Sequence, residues 1–207
     1  MNINSVNKVI YKKEISIIEN FYRFFEMKKL VVFVPDNFTE KLAFELSRAG
    51  AGEIGNYSMC SFRTNGTGTF LPGKKANPFS GIKNKLTFEN EVKLEMECRD
   101  SLLNKVIDVL MKFHPYEEVA YEIYSFVKRS EKAEGFYISL KKEISYCELF
   151  RRINPRIENH SVSDTDRFSK IIITGAEDSE DIIRSAKLTG SSCLLILSKN
   201  NNKLYKL

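Results

Sequence analysis

Glycines, small polar residues and aromatics stand in a fixed order over Gly50-Ala-Gly-Glu-Ile-Gly-Asn-Tyr-Ser-Met-Cys-Ser-Phe62. The same mixture returns in Gly66-Thr-Gly-Thr-Phe70, Asn77-Pro-Phe79 and His114-Pro-Tyr-Glu-Glu118. Core positions exchange freely among apolar residues of similar volume. These stretches do not, so they constrain the fold more tightly than they constrain a reaction.

Around them, Lys29 to Val127 reads β-α-β-β-β-α-β. Leu30 to Val34 is a near-continuous apolar strand ended by Pro35. Asn37 and Glu40 have the spacing of a capping box for the next helix. Leu42, Leu46 and Ala49 give that helix a buried stripe, and Gly50 and Gly52 stop it. Ile54 to Phe62 and Thr67 to Leu71 read as paired strands, with Asn65-Gly66 as the hairpin signal between them. Val92, Leu94, Met96 and Cys98 alternate with Lys93, Glu95 and Glu97, which is a half-exposed strand. Leu103, Ile107, Leu110 and Phe113 mark a second helix ended by Pro115, and Val119 to Val127 closes the unit. Two helices over one face of an antiparallel sheet make a ferredoxin-like α+β plan. Tyr, Phe and Met on the strands then imply that another subunit covers the opposite face.

The flanks read differently. In a leader of residues 1–28, Ile15, Ile18, Phe21, Tyr22 and Phe25 recur at helical spacing, which predicts a short amphipathic helix. Lys128 to Glu134 reads as a polar linker. Residues 135–207 then give a strand at Phe136–Leu140 and a capping box at Ser145 and Glu148. A helix with Leu149, Phe150 and Ile153 follows, running to Asn154-Pro155. Lys170–Thr174 is a buried-type strand, followed by a helix with Ile182, Ile183 and Ala186 inward and Gly190 at its end. Cys193–Leu197 is another strand, and Lys203–Leu207 a last short one. Strand–helix–strand order implies a parallel βαβ element. The fold class expected is therefore α+β, a ferredoxin-like domain at 29–127 followed by a small α/β lobe at 135–207.

A net charge of +5, with both signs interspersed, lacks the basic stripe of a nucleic-acid binder. The lysines at 74, 75, 83 and 85 read as one solvated loop. No apolar run approaches the ~18 residues of a membrane span, and the N-terminus has no secretory pattern. Four scattered cysteines, with no CxxC, suggest reduced thiols and a cytoplasmic protein.

Chemistry-bearing residues are few. Thr174-Gly175-Ala176 could present backbone N–H groups to a phosphate, but Glu177, Asp178, Glu180 and Asp181 already complement that helix start and repel an anion. Of the two histidines, His160 reads as an ordinary exposed imidazole. His114 precedes Pro115, with Glu117 and Glu118 close in sequence. It is either a helix-terminal structural residue favoured by the dipole or a ligand or small-molecule contact. Gly55, Asn56 and Tyr57 suit a bulge or turn, and a cleft between them and the His114 loop is a second possibility. No nucleophile–base arrangement stands out, so no catalytic residue is assigned. The candidate ligand-binding residues are Gly55, Asn56, Tyr57, His114, Tyr116, Glu117 and Glu118. No metal ligand or cofactor is assigned, His114 being the one candidate for a metal.

The quoted motifs, together with Leu30-Val-Val-Phe-Val-Pro35, resemble the YqfO-type domain, a module related to the CutA and PII-like trimeric folds. That module occurs alone and as an insert in the Nif-three-like proteins, the dinuclear metal-centre hexameric family. The resemblance covers about residues 29–127. Residues 135–207, through Lys170-Ile-Ile-Ile-Thr-Gly175 and Cys193-Leu-Leu-Ile-Leu197, resemble a shortened, divergent C-terminal lobe of the same family. The resemblance implies two metals held by a His-rich motif and an Asp in an N-terminal lobe, and by a His and Glu near the C-terminus. No residue here matches those ligands, and only the leader precedes the module. The expectation is therefore a non-catalytic, degenerate member that acts as an oligomeric binding or scaffold protein, self-associating as a trimer or larger, with a protein partner also possible. The alternatives are a metal-binding protein or metal-dependent hydrolase of the GTP cyclohydrolase type 2 homologue kind, with a site rebuilt around His114, Glu117 and Glu118, and a PII-like small-molecule sensor.

Overall fold

Val92, Leu94, Met96 and Cys98 all point to one side of their strand and are at most 3% exposed, and that side is where two helices pack. In the computed structural model, which describes residues 3–153, 157–198 and 201–207, the chain forms two compact units. One is Glu26–Val127; the other joins Met1–Phe25 to Lys128–Leu207. Along the chain run α1 (Ile3–Asn7), β1 (Ile15–Phe21), β2 (Phe24–Pro35), α2 (Thr39–Ala49), β3 (Phe62–Phe70), β4 (Thr87–Arg99), α3 (Leu103–Phe113) and β5 (Tyr121–Arg129). They are followed by β6 (Gly135–Ser145), α4 (Tyr146–Ile153), β7 (Ile157–His160), β8 (Arg167–Thr174), α5 (Glu180–Leu188), β9 (Cys193–Ile196) and β10 (Asn202–Lys206).

The unit Glu26–Val127 is a β-α-β-β-α-β sandwich whose sheet has the order β3-β4-β2-β5, the ferredoxin-like arrangement. Its core joins Leu30, Val32 and Val34 of β2 and the β4 alternation to Leu42, Ala43 and Leu46 of α2 and Val106 and Leu110 of α3. Fully burying each such Leu or Val contributes about 1.5–3 kcal/mol, so the apolar stripe fixes the register. Gly50 caps α2 with φ +107°, a left-handed conformation that costs a side-chain-bearing residue energy.

Three expectations for this unit are corrected. Ile54 to Phe62 is not a strand: Ile54 and Tyr57 form only an isolated bridge, and β3 starts at Phe62. Asn65-Gly66 does not turn a hairpin: β3 runs straight through it, with Asn65 opposite Val92 and Gly66 opposite Glu91. Pairing with the long β4 outweighs the local turn preference. The capping box at Asn37 and Glu40 is also absent. A 3-10 turn over Asp36–Phe38 shifts the helix start to Thr39, and the Glu40 carboxylate accepts instead from Arg63. The sheet face away from the helices carries an ion ladder, in which Lys93 Nζ lies 2.8 Å and Lys29 Nζ 3.5 Å from the Glu95 carboxylate. The bond from Lys93 holds that carboxyl below its ordinary range. Phe62, opposite Glu95 in the register and 66% exposed, stands at the edge of the same face.

The other unit has a six-stranded sheet ordered β1-β6-β8-β9-β10-β7. Here β8, α5 and β9 form the expected parallel βαβ. Ile171, Ile172 and Ile173 are fully buried, as strands covered on both faces require. Ser145 makes half of its capping box, accepting from Glu148 N at 3.3 Å, while the Glu148 carboxylate pairs with Arg152. Asn154-Pro155 and the His160 side chain fall outside the described residues.

The leader is corrected most. Residues 15–21 are not helical but form β1, antiparallel to β6 from Ile15↔Leu140 to Phe21↔Gly135. The polar segment Lys128 to Glu134 is not a free linker but is tied down. Ser130 N and Glu134 N donate to the carbonyls of Arg23 and Phe21, both at 2.8 Å, and Arg23 Nε lies 3.0 Å from the Glu134 carboxylate. At the β8–α5 turn, Thr174 Oγ1 donates to Glu134 O at 2.7 Å and accepts from Ala176 N at 3.0 Å. The helix itself starts later, on the Ser179 cap, in keeping with a structural turn.

Candidate functional site

Two of the quoted motifs, far apart in sequence, meet within the unit Glu26–Val127. The long β3–β4 connection carries Asn77-Pro78-Phe79, and the α3–β5 connection carries His114-Pro-Tyr-Glu-Glu118. Asn77 N donates to Glu117 Oε1 at 2.8 Å, and the Phe79 ring centroid lies 6.1 Å from that of Tyr116. Phe70, at the end of β3, sits 6.1 Å from Tyr116 as well, and Phe38 meets Phe79 edge to face at 5.3 Å. Together with Leu71, Pro72, Pro78 and Ala120, the rings of Phe70, Phe79 and Tyr116 line a cleft of about 390 Å3. Its acidic lining residues are Glu91, Glu117 and Glu118.

His114 stands behind this wall and is only 7% exposed. Its Nδ1 accepts from Tyr116 N at 3.1 Å, which leaves Nε2 as the protonated nitrogen, donating to Phe33 O at 3.0 Å. The ring thus ties the end of α3 to β2 in its neutral form. Burial pushes the imidazole below its ordinary value, and the Phe33 carbonyl opposes this only in part. Protonating Nδ1 would sever the Tyr116 N–H bond. Desolvation therefore outweighs the helix dipole, which alone would favour the charged ring.

Tyr116 donates its hydroxyl to Glu91 Oε1 at 2.7 Å. Burial, and then this bond, push the phenol well above its ordinary value. Glu91 reaches across to Gly68 of β3, where an added Cβ would overlap Glu91 Oε2. The glycine is what lets the carboxylate lie across the strand. Nearby, Ser80 Oγ donates to Glu89 Oε2 at 2.6 Å and helps seat the β3–β4 connection.

The cleft therefore gathers Tyr116, Glu117 and Glu118 and uses His114 as support. It does not include Gly55, Asn56 or Tyr57. Those three sit in a separate turn closed by Ile54 and Tyr57, whose N–H groups and carbonyls exchange bonds of 2.9 Å; Tyr57 is 76% exposed. Sequence reasoning missed Glu91, Gly68 and Phe70 as site residues. The available signal was Gly68, a second glycine two residues after Gly66 inside a strand, which marks close approach. Among the described residues, no three His, Cys, Asp or Glu side chains gather closely enough to hold a metal ion.

The fold and cleft define an α+β protein whose ferredoxin-like unit carries an aromatic, acid-lined pocket. No family model matches the chain. It is similar to the "GTP cyclohydrolase 1 type 2 homolog" of Halalkalibacterium halodurans, 48% identical over 103 residues, which is 50% of this chain and 28% of that protein. It is 36% identical over 169 residues to the protein of the same description from Bacillus subtilis, covering 80% of this chain and 45% of that one. A solved Bacillus cereus protein related to NIF3 aligns over 92% of this chain and 55% of its own, at 27% identity and a TM-score of 0.46. This chain belongs to the Nif-three-like family. It spans less than half the length of these two curated relatives.

Proposed function

We propose that this chain is a non-catalytic binding member of the family, which self-associates through its ferredoxin-like unit and holds a small ligand in the Tyr116 cleft. The observation that carries this reading is the state of His114 and Tyr116. Both imidazole nitrogens and the phenolic proton are committed to internal bonds. The side chains best suited to ligate a metal or shuttle a proton thus serve to build the wall of the cleft. A largely apolar cleft with a few oriented polar groups is the ordinary form of a small-molecule site.

Self-association is supported by exposed apolar residues at the sheet's edge strands. Phe62 on β3 is 66% exposed and Tyr124 on β5 is 53% exposed. We expect three or more copies. Among the described residues no helix is long and apolar enough to cross a membrane. A cytoplasmic location is our reading of the four scattered free thiols, which have no CxxC spacing. Because the curated relatives are named for GTP cyclohydrolase, the direct test is incubation of the purified full chain with GTP and divalent metal, alongside sedimentation. GTP recovered intact, from a protein sedimenting as a trimer or larger, is the expected result. Turnover that scales with protein concentration, or a strict monomer at micromolar concentration, overturns the reading.

A further inference from the structure

The chemistry of the cleft selects among ligands. Its lining holds three acidic side chains, Glu91, Glu117 and Glu118, and no Lys or Arg. Around them stand the rings of Phe70, Phe79 and Tyr116. Two of the carboxylates are held in place before any ligand arrives, each through Oε1: Glu91 by the Tyr116 hydroxyl and Glu117 by the Asn77 N–H. A carboxylate has a second oxygen with which to accept. The three acidic groups do not converge on one point as a metal site would need. They are distributed around an aromatic hollow of about 390 Å3, at the small end of ligand sites.

We infer that the cleft takes a small organic cation, an ammonium or guanidinium group carried on an aromatic or alkyl body. The body would bury against Phe70, Phe79 and Tyr116, and the charge would lie over aromatic faces within reach of the acidic rim. Every charged group that an anion meets in this lining is acidic. A neutral ligand of the same shape can donate a hydrogen bond to the carboxylates, but it brings no opposite charge to offset their desolvation. This inference rests on the binding role proposed above and adds the class of ligand.

The test compares three probes that share one ring and one chain length but differ in charge: tyramine, its neutral alcohol tyrosol, and the anion 4-hydroxyphenylacetate. Each is titrated into the full chain while the amide resonances of Gly68, Tyr116 and Glu117 are followed. Tyramine is expected to shift them saturably and to bind about tenfold more tightly than tyrosol, the worth of one partly desolvated cation–aromatic contact. Glu117→Gln and Glu118→Gln, both at exposed positions, should fold normally and each shrink the preference for tyramine over tyrosol. Equal or tighter binding of tyrosol or of the anion overturns the charge selection while leaving a small-molecule site in place. If none of the probes moves the cleft amides, the inference fails outright. The GTP and sedimentation measurements judge the broader role independently.

Discussion

Arg152 holds Glu14 with both terminal guanidinium nitrogens, at 2.7 and 2.9 Å, across 138 residues of chain. The Arg152 side chain is 9% exposed, stacks on the Tyr11 ring at 4.3 Å, and donates to Val9 O at 3.3 Å. The N-terminal segment is therefore locked to α4 by a two-pronged ion pair as well as by the β1–β6 ladder. Arg152→Ala should cost about 2 kcal/mol, since it leaves a partly buried carboxylate without its main partner. Arg152→Lys should recover only part of this, because an ammonium cannot match the fork. Thermal melts of the three proteins check both.

The same pair sets an acid limit. The bond from Arg152 holds the Glu14 carboxyl below its ordinary value of 4.5. Its contribution is thus fully present above that value and lost as pH falls through the lower, folded-state value. Glu14→Gln should flatten the acid side of the stability curve below pH ~4.5. A variant that loses stability with the same acid slope as the wild type would contradict this.

His114 has the opposite assignment of charge. Burial pushes the imidazole below its ordinary 6.5, so the unfolded chain binds more protons than the folded one in the window below that value. Stability is complete above pH ~6.5 and falls as the pH drops toward the depressed folded-state value, by at most ~1.4 kcal/mol per pH unit. Denaturant melts at pH 7.5 and 5.5 should show the loss in the wild type and a smaller one in His114→Gln.

Gly68→Ala tests the seat of Glu91. The new methyl would occupy the place of Glu91 Oε2, so the carboxylate must swing away and release the Tyr116 hydroxyl. The variant should lose no more than about 1 kcal/mol, the net worth of the Tyr116–Glu91 hydrogen bond, because the clash falls on the movable end of a side chain. Its Tyr116 phenol should ionise at lower pH than in the wild type, read as an absorbance difference against Tyr116→Phe.

Much of the fold was legible where burial is two-sided or strictly alternating. The run Ile171–Ile173 and the Val92–Cys98 alternation each admit one kind of strand. Ile15–Phe21 misled because an edge strand half open to water needs no alternation; Ile17 is 50% exposed. Its partner, β6, lies some 120 residues away, so nothing local announces the pairing. Asn65-Gly66 misled for a related reason, since a turn preference of two residues is small against nine ladder positions. The cleft was half legible. Tyr116, Glu117 and Glu118 were visible as a motif, whereas Glu91 looked like any exposed position of a half-buried strand, and only its register opposite Gly66 brings it under Tyr116.

The binding role stands or falls with His114 as the neutral support behind the wall of the cleft. Long-range 1H–15N spectra of the imidazole rings, with His114→Gln to assign the signal, test this directly. The structure predicts a neutral ring at pH 7 with the proton on Nε2, unchanged by equimolar Zn2+. A proton on Nδ1, or a His114 signal that moves on adding zinc, would contradict it.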